Sequence, residues 1–170
     1  MSSEVKQPRG IRNNNPLNIR LSKDRWQGQR NAITPNPSFP EGKGHINGND
    51  SSPRGGREGV FCQFESMAYG WRAAFRLLCH TYYGKYKLRT IRDIIYRWAP
   101  PKENNTAAYI RRVSDYISIG PDRELGDPKT HPTQWMLLAI AMAVVECGTA
   151  NQDYLSMLKG FELAVSEIEN

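Results

Sequence analysis

Trp135-Met-Leu-Leu-Ala-Ile-Ala-Met-Ala-Val-Val145 is the most apolar stretch of the chain, and Glu146-Cys-Gly148 follows it directly. A helix that is apolar on every side belongs at the centre of a fold, so we expect a buried core helix that ends at Gly148. The stretch is about half the roughly 20 residues that cross a bilayer, which favours a core helix over a membrane span.

Helical periodicity recurs on both sides of this stretch. It predicts helices near residues 66 to 83, 90 to 98, 106 to 118, 133 to 147 and 152 to 168, with little sheet. Ser66, Thr90 and either Asn105 or Thr106 stand where capping side chains are favoured. The last helix has one apolar face, which we expect to pack against the central helix. The predicted fold class is therefore mainly α.

The segment from Gln27 to Gly59 is rich in Gly, Pro, Asn and Ser, which form turns and cannot fill a core. It predicts a long loop over residues 27–59, with a small hairpin at Asn47-Gly48. Val60 to Phe64 alternates apolar and polar residues, as a short strand does. The chain has 170 residues and no repeats, which predicts a single domain over residues 1–170.

The balance of charges is basic, with 23 Lys and Arg against 17 Asp and Glu. This sign favours a polyanionic partner, either an acidic cell wall or a nucleic acid. Because the basic residues are spread along the chain without forming a block, a nucleic-acid-binding module is the weaker alternative.

Cysteine and histidine are scattered, with three of each and neither CxxC nor His-x-x-x-His spacing. The cysteines are typical of small core residues, and neither a metal nor a cofactor is predicted. Met1 to Asn18 is polar throughout, without the apolar run of a secretory signal. We therefore expect synthesis in the cytoplasm and no membrane partner.

Glu146 has an unusual setting for a glutamate, because it ends an apolar helix. Low polarity and the partial negative charge at a helix C-terminus both disfavour an ionised carboxylate. A carboxylic acid that keeps its proton is what glycosidic cleavage needs for the leaving oxygen. The alternative is a residue that marks the helix end with its carboxylate in water, and spacing alone leaves both interpretations open.

Ordered motifs run along nearly the whole chain. They are Arg9-Gly-Ile-Arg-Asn-Asn-Asn-Pro-Leu-Asn-Ile-Arg20, Trp26-Gln-Gly28, Phe61-Cys-Gln-Phe64, Gly70-Trp-Arg-Ala73, Thr90-Ile-Arg-Asp-Ile-Ile95, Arg97-Trp-Ala-Pro-Pro101, Glu103-Asn-Asn-Thr106 and Tyr109-Ile110. This set resembles the lysozyme-like proteins of phage virions and prophages, whose Glu-x-Gly motif is similar to Glu146-Cys-Gly148, although Cys147 departs from it. The resemblance implies a lysozyme-like fold, peptidoglycan glycan strands as substrate, association with the virion or release to the cell wall, and other virion proteins as partners.

A more distant similarity links the chain to family 73 glucosaminidases and lytic transglycosylases. In them an apolar helix ends in a catalytic Glu followed by a small residue and Gly. In the glucosaminidases the Asn-rich, Trp-x-Gly and Phe-x-x-Phe motifs follow that helix, whereas here they precede it, as in a circular permutation. Such a change is tolerated because the termini of compact domains often lie close together. Muramidase, glucosaminidase and lytic transglycosylase activity all stay open.

Six further residues are candidates for binding a sugar. Asn14, Asn15 and Asn18 can bond N-acetyl and hydroxyl groups, or cap turns around Pro16. Trp26 and Tyr109 offer flat faces for sugar rings, or belong to the core. Arg20 can meet a muramyl peptide carboxylate, or serve a helix end.

A second catalytic carboxylate is expected from the long loop, with Glu58 as first candidate and Asp50 as second. Glu103 is expected instead to serve the start of the next helix. A lytic transglycosylase needs no second carboxylate, because the N-acetyl group of the substrate can assist. The competing function is a catalytically inert virion structural or wall-binding protein of the same fold, which Cys147 and the unassigned second acid favour.

Overall fold

A computed structural model describes residues 7–22, 24–30, 49–50, 61–149 and 152–166. Within these residues the chain is mainly α-helical, as predicted. In chain order the elements are α1 (Arg9–Arg12), β1 (Asn49–Asp50), β2 (Phe61–Cys62), α2 (Met67–Phe75), a π-helix (Arg76–Lys85), α3 (Ile91–Trp98), α4 (Thr106–Ile117), α5 (Pro132–Cys147) and α6 (Tyr154–Val165).

The predicted caps explain why the helices begin where they do. Ser66 accepts a hydrogen bond from the backbone N–H of Tyr69 at 3.4 Å, and Thr90 accepts one from Asp93 at 3.2 Å. For α4 the cap is Asn105, whose side-chain oxygen accepts from the N–H of Ala108 at 3.2 Å. Each cap satisfies an N–H that the first turn of a helix leaves without a partner.

The apolar helix α5 lies in the core, as predicted. Its buried residues are Trp135, Leu138, Ala139, Ala141, Met142, Ala143 and Cys147. Gly148 ends it in the left-handed conformation at φ 68° and donates its N–H to the carbonyl of Val144 at 2.8 Å. This left-handed ending is one that glycine adopts without steric cost.

Two features of the helices were not predicted. The helix that starts at Met67 changes at Arg76 from α to π geometry and continues to Lys85. The π register widens the bonding to i→i+5, and side-chain periodicity does not distinguish it from α. Helix α1 is a single turn in a polar segment, too short to show an apolar face.

The prediction that the last helix packs against the central one was wrong. Helix α6 packs mainly against α2. Gly160 makes this close approach possible: a Cβ atom there would lie 2.5 Å from Cβ of Trp71 and 2.7 Å from the carbonyl oxygen of Ala68. The predicted apolar face was also largely wrong: Phe161 is buried, but Tyr154 and Leu158 are exposed, and Met157, Gly160 and Ala164 are buried in their place. Sequence periodicity gave neither this face nor its partner, which depends on the side chain that Gly160 lacks.

The extended segments form a small β region beside the helices. β1 pairs antiparallel with β2, with Asn49 opposite Cys62 and Asp50 opposite Phe61. Isolated bridges join Arg20 to Phe61 and Gln29 to Phe64. The predicted strand at Val60 to Phe64 is confirmed for Phe61–Cys62, whereas the Asn47-Gly48 hairpin and most of the 27–59 loop lie outside the described residues.

The packing of α6 on α2 predicts that a glycine-to-alanine change within this helix destabilises the protein. Alanine favours a helix over glycine by about 0.5–1 kcal/mol, yet Gly160→Ala should lower the free energy of unfolding by about 1–3 kcal/mol because the new methyl group overpacks the contact. Gly84→Ala is the matched control, since its Cβ would meet only the carbonyl oxygen of Cys79 at 3.6 Å. Urea unfolding in which both variants gain stability would contradict the close approach.

Candidate functional site

A cavity of about 540 Å³ opens beside the C-terminal end of α5. Its lining residues are Arg9, Asn18, Ile19, Arg20, Ser22, Asp24, Trp26, Phe61, Leu77, Tyr82, Trp98, Ala99, Glu103, Asn104 and Glu146. Its volume falls within the usual range for ligand-binding sites. Four of the predicted site residues therefore lie around one cavity: Glu146, Asn18, Arg20 and Trp26.

Glu146 is half-buried, and two neighbouring helices hold its carboxyl group. The indole N–H of Trp98, at the end of α3, donates to Oε1 of Glu146 at 3.0 Å. The phenol O–H of Tyr109, on α4, donates to the same oxygen at 3.0 Å. One oxygen of the carboxyl group thus receives both hydrogen bonds, which fix the side chain relative to three helices.

This arrangement makes the two carboxyl oxygens chemically different. Indole N–H can only donate, so Oε1 must act as an acceptor towards Trp98. With both donors directed at Oε1, a proton on this carboxyl group belongs on Oε2. Oε1 is therefore the hydrogen-bond acceptor, and Oε2 is the oxygen that can carry a proton.

Tyr109 is suited to remain a donor, because burial raises the pKa of its phenol well above the usual value. The neighbouring charge of Glu146 and their hydrogen bond raise this pKa further. Tyr109 was predicted as a flat face for a sugar ring. In the structure it is a buried residue that holds Glu146, and it is not among the cavity-lining residues.

The Asn-rich segment divides into residues that build the turn and one that reaches the cavity. Asn15 is fully buried, and its side-chain N–H groups bond the carbonyl oxygens of Ile19 and Cys62 at 3.0 and 2.9 Å. Asn14 donates in the same way to Phe64 at 3.1 Å. Asn18 lines the cavity and donates to the backbone carbonyl of Glu146 at 3.2 Å. The segment therefore ties β2 and the end of α5 together.

One wall of the cavity combines aromatic and cationic groups. The guanidinium carbons of Arg9 and Arg20 lie 4.6 and 5.9 Å from the ring centre of Phe61, within cation–π range. Trp26 is half-buried on the same cavity, and its backbone N–H donates to the side chain of Gln29 at 3.1 Å. One ligand in this cavity could therefore contact both the ring of Trp26 and the guanidinium groups of the wall.

Cys147, the departure from the Glu-x-Gly pattern, faces the N-terminal segment. Its thiol donates to the carbonyl of Pro16 at 3.3 Å, and a Cβ on Gly10 would lie 2.5 Å from its sulfur. Burial raises the pKa of this thiol to about 11, so it remains in its unreactive, protonated form at neutral pH. Cys147 is a packing residue here.

The second carboxylate expected from the long loop has no described position. Glu58 lies outside the described residues, and Asp50 is described only through its backbone pairing with Phe61. The carboxylates that the structure does place on the cavity, besides Glu146, are Glu103 and Asp24. Asp24 was not considered from the sequence, and Glu103 was expected to serve the start of α4. A local helix-start pattern could not show that its loop also faces the cavity.

Among the described residues, no group of three or more His, Cys, Asp or Glu side chains is placed to hold a metal ion. None of the helices in the described ranges is both long and apolar enough to cross a membrane.

Fold and site together define a mainly α-helical protein in which a glutamate at the end of a core helix faces a cavity. Protein P5 of Pseudoalteromonas phage PM2 is 34% identical to it over 157 residues, which cover 91% of this chain and 80% of Protein P5. The chain therefore belongs to the family of this phage protein. No protein-family model matches the chain.

The hydrogen bonds to Oε1 predict that two substitutions at Glu146 differ in stability. Glu146→Gln keeps an oxygen for both donors and should unfold at the wild-type temperature. Glu146→Ala leaves Trp98 and Tyr109 without their acceptor and should lower the free energy of unfolding by about 1–3 kcal/mol. Chemical unfolding of both variants is the measurement, and equal stability would contradict the bonding.

The buried phenols predict a loss of stability in alkali. Burial raises the pKa of Tyr82 to about 12, and that of Tyr109 rises as well. Because these pKa values lie above the unfolded value of about 10, stability should be intact below pH ~10 and fall as the pH rises beyond it. Urea unfolding from pH 7 to 11 should show a shallower decline for Tyr109→Phe than for wild type. The exposed Tyr116 provides the control, Tyr116→Phe, and an equal slope in both variants would contradict the assignment.

Proposed function

We propose that this protein cleaves the glycan strands of peptidoglycan by general acid catalysis, with Glu146 as the acid. The observation that carries the proposal is a carboxyl group held by two donors on Oε1 at the edge of a cavity of about 540 Å³. Transfer of a proton from Oε2 to the leaving sugar oxygen is the chemistry that glycosidic cleavage requires. Muramidase, glucosaminidase and lytic transglycosylase reactions all share this step.

The lysozyme-like fold is part of the same proposal. Its support is the position of Glu146 at the C-terminal end of a core helix, on a cavity that Arg20 and Phe61 of the small β region also line. The resemblance of the sequence motifs to lysozyme-like phage proteins agrees with this arrangement. The apparent circular permutation places the β region before the acid in the chain.

The walls of the cavity suit a peptidoglycan strand. Trp26 offers a ring on which a sugar can stack, as aromatic side chains do with flat apolar faces. Arg20 is exposed on the same cavity and can pair with the carboxylate of a muramyl peptide. Asn18 fixes the backbone of Glu146 from the opposite end of the chain. A neutral glycan would leave Arg20 without a partner in the substrate.

Association with a virion follows as a proposal from the similarity to a phage protein. Other virion proteins are then partners, with release to the cell wall at infection as the alternative. The catalytically inert wall-binding or structural protein is the second candidate function. The observation that favours it is that the bonds from Trp98 and Tyr109 also join α3, α4 and α5, which is a structural task for Glu146.

Zymography on peptidoglycan separates the two functions. Glu146→Gln retains the acceptor for Trp98 and Tyr109 but cannot supply the proton, so we expect cleavage to fall about 10²- to 10⁴-fold while the thermal midpoint stays at the wild-type value. Glu162→Gln, at an exposed position of α6, is the matched control and should cleave at the wild-type rate. If wild type binds peptidoglycan without cleaving it, the inert wall-binding function replaces the proposed one. If Glu146→Gln remains fully active, the acid is another residue.

A further inference from the structure

The loop between α3 and α4 places a second carboxylate on the cavity of Glu146. Glu103 lines this cavity, and so does Asp24 from the N-terminal part of the chain. We propose that Glu103 is the second catalytic carboxylate, the base that activates a water molecule for hydrolysis. This inference rests on the proposed function and selects hydrolysis over internal transglycosylation.

Several hydrogen bonds hold the loop that carries Glu103. The hydroxyl of Thr106 donates to the carbonyl of Ala99 at 2.5 Å. The carbonyl of Pro100 accepts from the N–H of Glu103 and from the side chain of Asn104, each at 3.2 Å. These bonds hold the backbone of Glu103 close to the end of α3.

The same loop connects the two helices that position Glu146. Helix α3 ends at Trp98 and α4 carries Tyr109, the two donors to Oε1. Glu103 lies between them in the chain. The same two helices therefore position both the proposed acid and the proposed base. Catalytic groups need this kind of rigid support to keep their separation.

The carboxylate of Glu103 has no structural task among the described residues. The cap of α4 is Asn105, so the side chain of Glu103 does not serve the start of that helix as a cap. Within the described ranges no hydrogen bond or ion pair engages the carboxylate, and the residue is exposed. A general base must come within hydrogen-bonding reach of the water molecule whose proton it accepts, and an exposed carboxylate can do so.

Asp24 lacks such support. In the described part of the chain, its backbone N–H bonds only the side chain of Ser22, two residues away, at 3.1 Å. Within the residues that the structure describes, no such bond connects Asp24 to the helices that hold Glu146. Glu103 is therefore the better placed of the two carboxylates.

The proposed reaction is a hydrolysis of the glycosidic bond by one water molecule. Oε2 of Glu146 gives its proton to the glycosidic oxygen as the bond from that oxygen to the anomeric carbon breaks. Glu103 takes a proton from water as the water oxygen bonds the same carbon. Glu103 ends protonated and Glu146 ionised, and proton exchange with solvent restores both.

Glu103→Gln tests the assignment on purified peptidoglycan, with released glycan ends analysed by mass spectrometry. We expect cleavage to fall about 10²-fold or more at an unchanged thermal midpoint. Added azide should restore bond cleavage in this variant and give a glycosyl azide, because azide attacks the anomeric carbon without a base. The exposed Glu124→Gln is the matched control and should keep the wild-type rate.

The outcomes separate this inference from the proposed function. Reducing ends from wild type, together with azide rescue of Glu103→Gln, support it. Three results would overturn Glu103 as the base and leave Glu146 as the acid. They are 1,6-anhydro ends from wild type, a fully active Glu103→Gln, and azide rescue of Asp24→Asn or Glu58→Gln in place of Glu103→Gln. If wild type cleaves nothing, the proposed function fails and this inference fails with it.

Discussion

The two hydrogen bonds that meet at Oε1 of Glu146 are the constraint on which the site depends. They come from the ends of different helices, Trp98 of α3 and Tyr109 of α4, and converge on the last turn of α5. Since Oε1 accepts both bonds, Oε2 is the oxygen that would donate the proton in the proposed reaction. The two contacts that join α3 and α4 to α5 therefore also fix the orientation of the carboxyl group.

The N-terminal segment completes the arrangement from the far end of the chain. Asn18 bonds the backbone of Glu146 across 128 positions, and the thiol of Cys147 bonds Pro16 across 131. Gly10 allows this contact because a side chain there would collide with the sulfur of Cys147. The cysteine that departs from the Glu-x-Gly pattern thus packs the segment that forms one side of the cavity.

Local features of the sequence predicted local features of the fold. The caps at Ser66, Thr90 and Asn105 and the glycine at 148 lie next to the helices they delimit, so spacing alone located them. The bond from Trp98 to Glu146 spans 48 positions, and nothing near Trp98 in the sequence indicates it. The partner of α6 was missed for a similar reason, because it depends on a contact made where Gly160 has no side chain.

The most direct test of Glu146 as the acid is a crystal structure of Glu146→Gln with a bound peptidoglycan tetrasaccharide. We predict that the glycosidic oxygen lies about 2.6–3.2 Å from the amide nitrogen of Gln at position 146, the hydrogen-bonding range of a proton donor. Trp98 and Tyr109 should still donate to its oxygen. A saccharide bound away from this cavity, or a glycosidic oxygen out of reach of residue 146, would rule out Glu146 as the acid.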